Sequence, residues 1–290
     1  MAEHDFPLLN ASALMDTREA CHAYGSVLGE WTTSCRLRRK HWWQLSLRPN
    51  LRGVTTEVIH ADGIHFELEL DLATNHLRGE IAGSNDSFSQ SLGKQTAGEL
   101  AEDVRSYLLN GGVNQKFVPE SAPQEGHEPL GGEVKAGYSA EIAADFSAAW
   151  RAVSAAFVDF RAAIPEETSP LMVWPGHFDL AMMWLPGEKI PGQDPNDEEY
   201  SDKQMNFGFT LGDEGIPEPY FYVTAYPLPD AFPRLDLPAG ATWHTEGFNG
   251  VVLRYETLLT SQDPHSELVG LWNMLIDAGR EHLLERTTGA

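Results

Sequence analysis

Cysteine is almost missing from this chain: Cys21 and Cys35 are the two in 290 residues. A disulfide scaffold is thereby excluded, and both thiols are expected to be reduced. No apolar run approaches the ~18 residues that a membrane span needs, so no membrane partner is expected. Basic residues are scarce too: Lys and Arg number 20 against 43 Asp and Glu, a formal charge of −23 at pH 7. That field repels phosphate backbones and anionic lipid, which argues against a nucleic-acid partner. The opening MAEHDFPLLN lacks the basic-then-apolar order of a secretory signal, so the expected location is cytoplasmic. Also missing are GxxxxGK[ST], a GxGxxG after a strand, HExxH, CxxC and GxSxG. No familiar signature names a reaction, although carboxylates and histidines can act as acid and base without one.

Helical and strand periods alternate along the chain. Leu14, Cys21, Tyr24 and Leu28 share one helical stripe, predicting a helix over about 12–30, with Cys21 on its inert buried side. Thr96 and Glu99 form a capping box before Leu100, Val104 and Leu108, and Gly111 and Gly112 end that helix. Ile142, Phe146, Val153, Phe157, Phe160 and Ile164 make a third stripe, stopped by Pro165. Asp263 as N-cap and Pro264 at the first position open the last helix. Between helices the period is two. HFELELDL sets Phe66, Leu68, Leu70 and Leu72 against His65, Glu67, Glu69 and Asp71, a half-buried antiparallel strand. Further strands are expected at 42–48, 53–60, 76–82, 87–92, 171–174, 177–184, 205–211, 219–226, 241–246 and 250–255. The Pro-, Gly- and Glu-rich stretch 119–137 reads as a linker. The acidic insertion 186–203 reads as a lid or a disordered loop.

These elements predict an α+β fold of two similar helix–antiparallel sheet–helix halves, residues 1–118 and 138–290, an internal duplication about the linker. His41 stands against His177 in that alignment. The combination of HWW at 41–43, RGVTTE, WPGHFDL and GDEGIPEPYFYV resembles an uncharacterised bacterial family known as a domain of unknown function. The resemblance spans nearly the whole chain and rests on His41, Trp42, Trp43, Trp174, Phe178, Asp179, Tyr220 and Tyr222. The chain departs from the family pattern at RLRRK, residues 36–40. The resemblance implies the architecture and no activity.

The strongest candidate site is WPGHFDLAMMW, residues 174–184. On a strand His177 and Asp179 would share a face, about 7 Å apart, and could converge on a small molecule. Asp213 and Glu218, in and after the next turn, could complete a His-plus-carboxylate set for a divalent metal such as Mn, Fe or Mg. The opposing reading makes His177 and Asp179 a structural pair and GDEGIPEP an acidic turn. The functional expectation is a small-molecule-binding protein, or an enzyme, whose pocket between the halves is lined by His41, Trp43, Trp174, His177, Asp179 and Tyr222. The alternative is a non-catalytic interaction or regulatory module. RLRRKHWW reads either as an anion or nucleotide site or as a basic face against the acidic other half. Tyr220, Tyr222 and Tyr226, on one strand face, read as a sugar or aromatic platform or as core.

Overall fold

In a computed structural model the described residues are 6–9, 11–119, 137–197 and 199–284. The expected linker 119–137 lies outside them apart from its two end residues. The chain forms two compact units, one of Leu9–Arg151 with Met172–Asp179, the other of Met1–Leu8, Ala152–Leu171 and Leu180–Ala290. These borders differ from the division at the linker. The hairpin at 172–179 clusters with the first half of the chain, and the helix after the linker contributes residues to both units.

The first unit is built on α1 (Ala11–Cys35), β1 (Arg48–Pro49), β2 (Gly53–Thr55), β3 (Ile59–Ala61), β4 (Ile64–Asp71), β5 (His76–Ile81), β6 (Ser87–Ser91), α2 (Ala97–Asn110), the start of α3 (Ala140–Ala162) and, after β7 (Glu167–Thr168), β8 (Met172–Trp174). Its sheet is antiparallel in the order β1-β2-β4-β5-β6, with β3 on β4. The apolar face of HFELELDL is buried as read, with Phe66, Leu68 and Leu70 in the core and Trp31 of α1 meeting Phe66 edge-on at 5.7 Å. Glu69 and Asp71 of the polar face, however, are buried as well. Thr96 and Glu99 close the capping box of α2, whose Leu100, Val104 and Leu108 are buried.

The other unit holds β7, β9 (Asp179–Leu185), β10 (Gln204–Thr210), β11 (Tyr220–Tyr226), β12 (Ala241–His244), β13 (Gly250–Arg254), α4 (Tyr255–Leu258) and α5 (Pro264–His282), although Asp179 itself clusters with the first unit. The strand order is β12-β13-β11-β10-β9-β7. Phe157 stacks on Trp272 at 4.2 Å, and Phe160 packs on Phe207 at 4.8 Å, so the stripe of α3 and that of α5 meet over β10. Asp263 caps α5 by accepting from the Ser266 N–H, as its sequence requires.

The chain is α+β with two antiparallel sheets. The strand orders of the sheets differ, since β12 lies outside β13 where the first sheet runs on in sequence from β4 to β6. Where it is described, the insertion 186–203 is an arm held by its own contacts. Paired backbone joins Lys203 to Glu188 and Ile190 to Ser201, and Lys189–Asp202 and Lys203–Glu188 ion pairs of 2.8 Å brace the arm. Both cysteines are free, Cys21 fully buried. Among the described residues no helix is long and apolar enough to cross a membrane.

Candidate functional site

The stretch expected as a first strand, 42–48, is instead a 3₁₀ segment over Lys40–Leu45. His41 and Trp42 sit there with φ of 55° and 58°, consecutive left-handed residues without glycine. Each such residue costs of order 1–3 kcal/mol and persists only where its surroundings enforce it. Here Thr32 of α1 donates to Leu45 O at 2.9 Å, Gln44 accepts from Arg39 N–H at 2.8 Å, and Leu47 pairs with Val173 of β8. The turn drives neighbours opposite ways. His41 is buried and Trp42 is exposed beneath Arg38, whose guanidinium carbon lies 4.4 Å from the ring centroid. The ring of Trp43 stands 6.0 Å from that of His41, and its indole N–H is buried with no acceptor among the described residues. Arg36 finds partners within its own unit. It donates to Ser46 O at 3.1 Å and to Thr56 O, and Arg36 and Arg48 both reach Glu57 in the same unit.

His177 and Asp179 do not share a strand face. Residues 175–178 form a turn after β8, in which Phe178 N–H donates to Trp174 O at 2.7 Å and Phe178 has φ 52°. That conformation interrupts period-two geometry between the two residues. His177 is exposed in the turn, while Asp179 is buried as the first residue of β9. Trp174 is partly buried at the end of β8. What seats this turn is α1. Ideal Cβ atoms on Gly25 and Gly29 would stand 2.5 Å from the Phe178 ring and 2.5 Å from Pro175 Cβ, so the two glycines, one turn apart, form a notch for Pro175 and Phe178. His22, on the same helix face, donates to Pro175 O at 2.9 Å and stacks on Phe178, which Trp150 flanks at 5.0 Å. His41 and Asp179 are themselves both engaged in interactions.

The remaining candidates belong to the other unit. Asp213 closes its own turn, accepting from Gly215 and Ile216 N–H at 2.8 Å each and from the Tyr220 hydroxyl. Glu218 is paired with Arg254. Tyr222 is partly exposed, packing with Phe248 against Ile216, Tyr220 and Val252, and Tyr226 packs against Tyr200 at 4.9 Å. Among the described residues no three His, Cys, Asp or Glu side chains gather as a metal site.

Period-two alternation places Glu67, Glu69 and Asp71 on the polar face of β4. In the first unit that face is a groove of about 550 Å³, lined by Asn50, Arg52, Glu67, Glu69, Asp71, Thr74, Arg78 and Glu80. Asp71 is 1% exposed, held by the Thr74 N–H at 2.8 Å, the Thr74 hydroxyl at 2.6 Å and Arg78 at 3.1 Å. Burial pushes its carboxyl up, but these bonds outweigh it and hold the group below the usual carboxylate range. Glu69 takes Arg52 at 2.9 Å and Asn50 at 2.7 Å. Glu67 faces Glu80 directly across the β4–β5 ladder, and its side-chain partner is the Thr55 hydroxyl. Like charges placed so oppose each other. The signal available beforehand was four carboxylates on one sheet face with two arginines nearby, and only the ladder register shows which pair off.

A sequence model of one protein family, a family of unknown function (DUF5996), matches residues 6–282. No curated protein and no solved structure is matched by the chain.

Proposed function

We propose, for a chain that belongs to the DUF5996 family of unknown function, that it is a cytoplasmic binder of small polar molecules carrying an ammonium or guanidinium group. The observation that carries this reading is the Glu67–Glu80 opposition in the 550 Å³ groove. Arg52 and Arg78 spend their hydrogen bonds on Glu69 and Asp71, so Glu67 and Glu80 supply most of the local negative potential, with Arg52 acting on Glu67 only at a distance. A cation bound between Glu67 and Glu80 would turn a repulsive pair into two charge-assisted hydrogen bonds, and the arginines and Asn50 beside it suit an acceptor on the same ligand.

Calorimetric titration at low salt with a panel of alkyl amines, guanidines and their amino-acid forms tests the reading. At least one cationic member should bind saturably, with Glu80→Gln weakening it about tenfold or more, the loss of one charged hydrogen bond, while leaving the fold as stable or slightly more so. No saturable binder, or equal binding by the variant, defeats it.

A second reading keeps His41, Trp43, Trp174, His177 and Asp179 as ligand residues. It is favoured by the buried Trp43 N–H, since a buried donor is expected to find an acceptor. In the same titrations Trp43→Phe, and not Glu80→Gln, would then abolish binding.

A further inference from the structure

We infer that His60 and His65 form a two-imidazole site for a late first-row transition ion, Cu²⁺ or Ni²⁺ in preference to Zn²⁺. The two lie at the hairpin of β3 and β4, joined by Asp62 and Gly63 with φ of 47° and 86°. Positive φ at both positions is what a two-residue type I′ turn demands, and it locks the register of the strands. Ala61 and Ile64 close the turn, and His60 pairs with His65 next. In a two-residue hairpin that second pair is the non-hydrogen-bonded kind, in which side chains stand closest. The carbonyl of His65 is turned the other way, accepting from Ala82 N–H at 2.8 Å.

The rings are exposed, 4.5 Å apart between centroids and inclined at 72°, with Nδ1 to Nδ1 at 2.7 Å. One ring donates and the other accepts in this contact. A metal ion replaces that shared proton if the donor ring shifts its proton to Nε2, so two neutral imidazoles need release no proton to bind. The spacing suits an ion with coordination sites near 90°. With metal–nitrogen bonds of about 2.0–2.1 Å, a 2.7 Å separation subtends an angle of about 80–85° at the metal, whereas a tetrahedral centre would hold the nitrogens about 3.3 Å apart. An angle near 90° is the cis position of a square-planar or octahedral ion, and the affinity order of divalent ions for imidazole then favours Cu²⁺ and Ni²⁺ over earlier metals. Glu67 follows His65 on the same strand face, and the net charge of −23 attracts any cation to it. Water would complete the coordination.

The test is metal uptake by the full untagged chain, by calorimetry and equilibrium dialysis at neutral pH, with Cu²⁺, Ni²⁺ and Zn²⁺ each added alone. The comparison is with His60→Gln, His65→Gln and the double variant, so that sites elsewhere in the chain cancel. Circular dichroism checks that the variants keep the fold, as exposed positions should. Wild type should bind one Cu²⁺ more than the double variant, each single change should weaken that site at least tenfold, and Cu²⁺ and Ni²⁺ should bind ahead of Zn²⁺. Electron paramagnetic resonance of the wild type loaded with Cu²⁺ should carry splitting from two nitrogens that the double variant lacks. Equal uptake by wild type and double variant overturns the site, and tighter binding of Zn²⁺ than of Cu²⁺ overturns its geometry.

Discussion

Glu30 is the residue whose environment makes the sharpest demand on solvent conditions. It lies on α1 with Ser26, Val27, Thr33 and Ser34 as its helical neighbours, none of them a cation. Burial, with nothing to offset it, pushes its carboxyl up to about 7. The folded state therefore retains a proton that the unfolded chain releases at ordinary carboxylate pH. The stabilisation is full below the unfolded value and is lost as pH rises through about 7. Glu30→Gln should flatten this slope. Between pH 5.5 and 8 the wild type should lose about 1 kcal/mol more than the variant, roughly 2–4 °C in Tm, after allowance for solvent that still reaches the group. Parallel melting curves for the two proteins would contradict the assignment. Cys21 shows the same effect on a thiol: burial pushes it up, and it stays an inert part of the helix stripe that its spacing predicted.

Among the elements, helix ends and faces were readable because their causes are local. The Thr96–Glu99 box and the Asp263–Pro264 start each lie within one turn of chain. The strands expected at 42–48 and from 177 depart from the structure at 42–45 and 177–178 for the opposite reason. Apolar alternation in HWWQLSL and GHFDL imitates a strand, but the left-handed backbone at His41 and Trp42 is held by the end of α1 and by the remote β8, and that at Phe178 by the remote α1. The glycine notch of α1 is the part of that enforcement open to test. Gly25→Ala would gain helix propensity of up to about 1 kcal/mol, yet its methyl would meet a Phe178 ring confined by His22 and Trp150. Overpacking should win, with a net loss of about 1–3 kcal/mol in chemical denaturation. Phe178→Leu in the same chain should recover part of it, a coupling that independent sites do not show. A variant as stable as wild type would mean that the turn yields.

For the whole molecule, charge is the dominant variable. With a net charge of −23, self-repulsion works against the compact state, and the ion pairs are mostly at the surface, where each is worth little. Raising salt shortens the screening length from ~30 Å at 0.01 M to ~10 Å at 0.1 M, so Tm should rise over that range, measured with sodium chloride at fixed pH. A fall would show that pairs such as Arg280–Glu166 at 2.7 Å outweigh the repulsion. Composition, the α+β class, the buried stripes of α1, α2, α3 and α5, and the apolar face of β4 were determined by the sequence itself, because each follows from the period of neighbouring residues. Which carboxylate meets an arginine and which meets another carboxylate was decided by tertiary structure alone. So was the meeting of His60 with His65, and so was the separation of His177 from Asp179. Ladder register and turn conformation set those distances, and both depend on residues that are remote along the chain and adjacent only once it has folded.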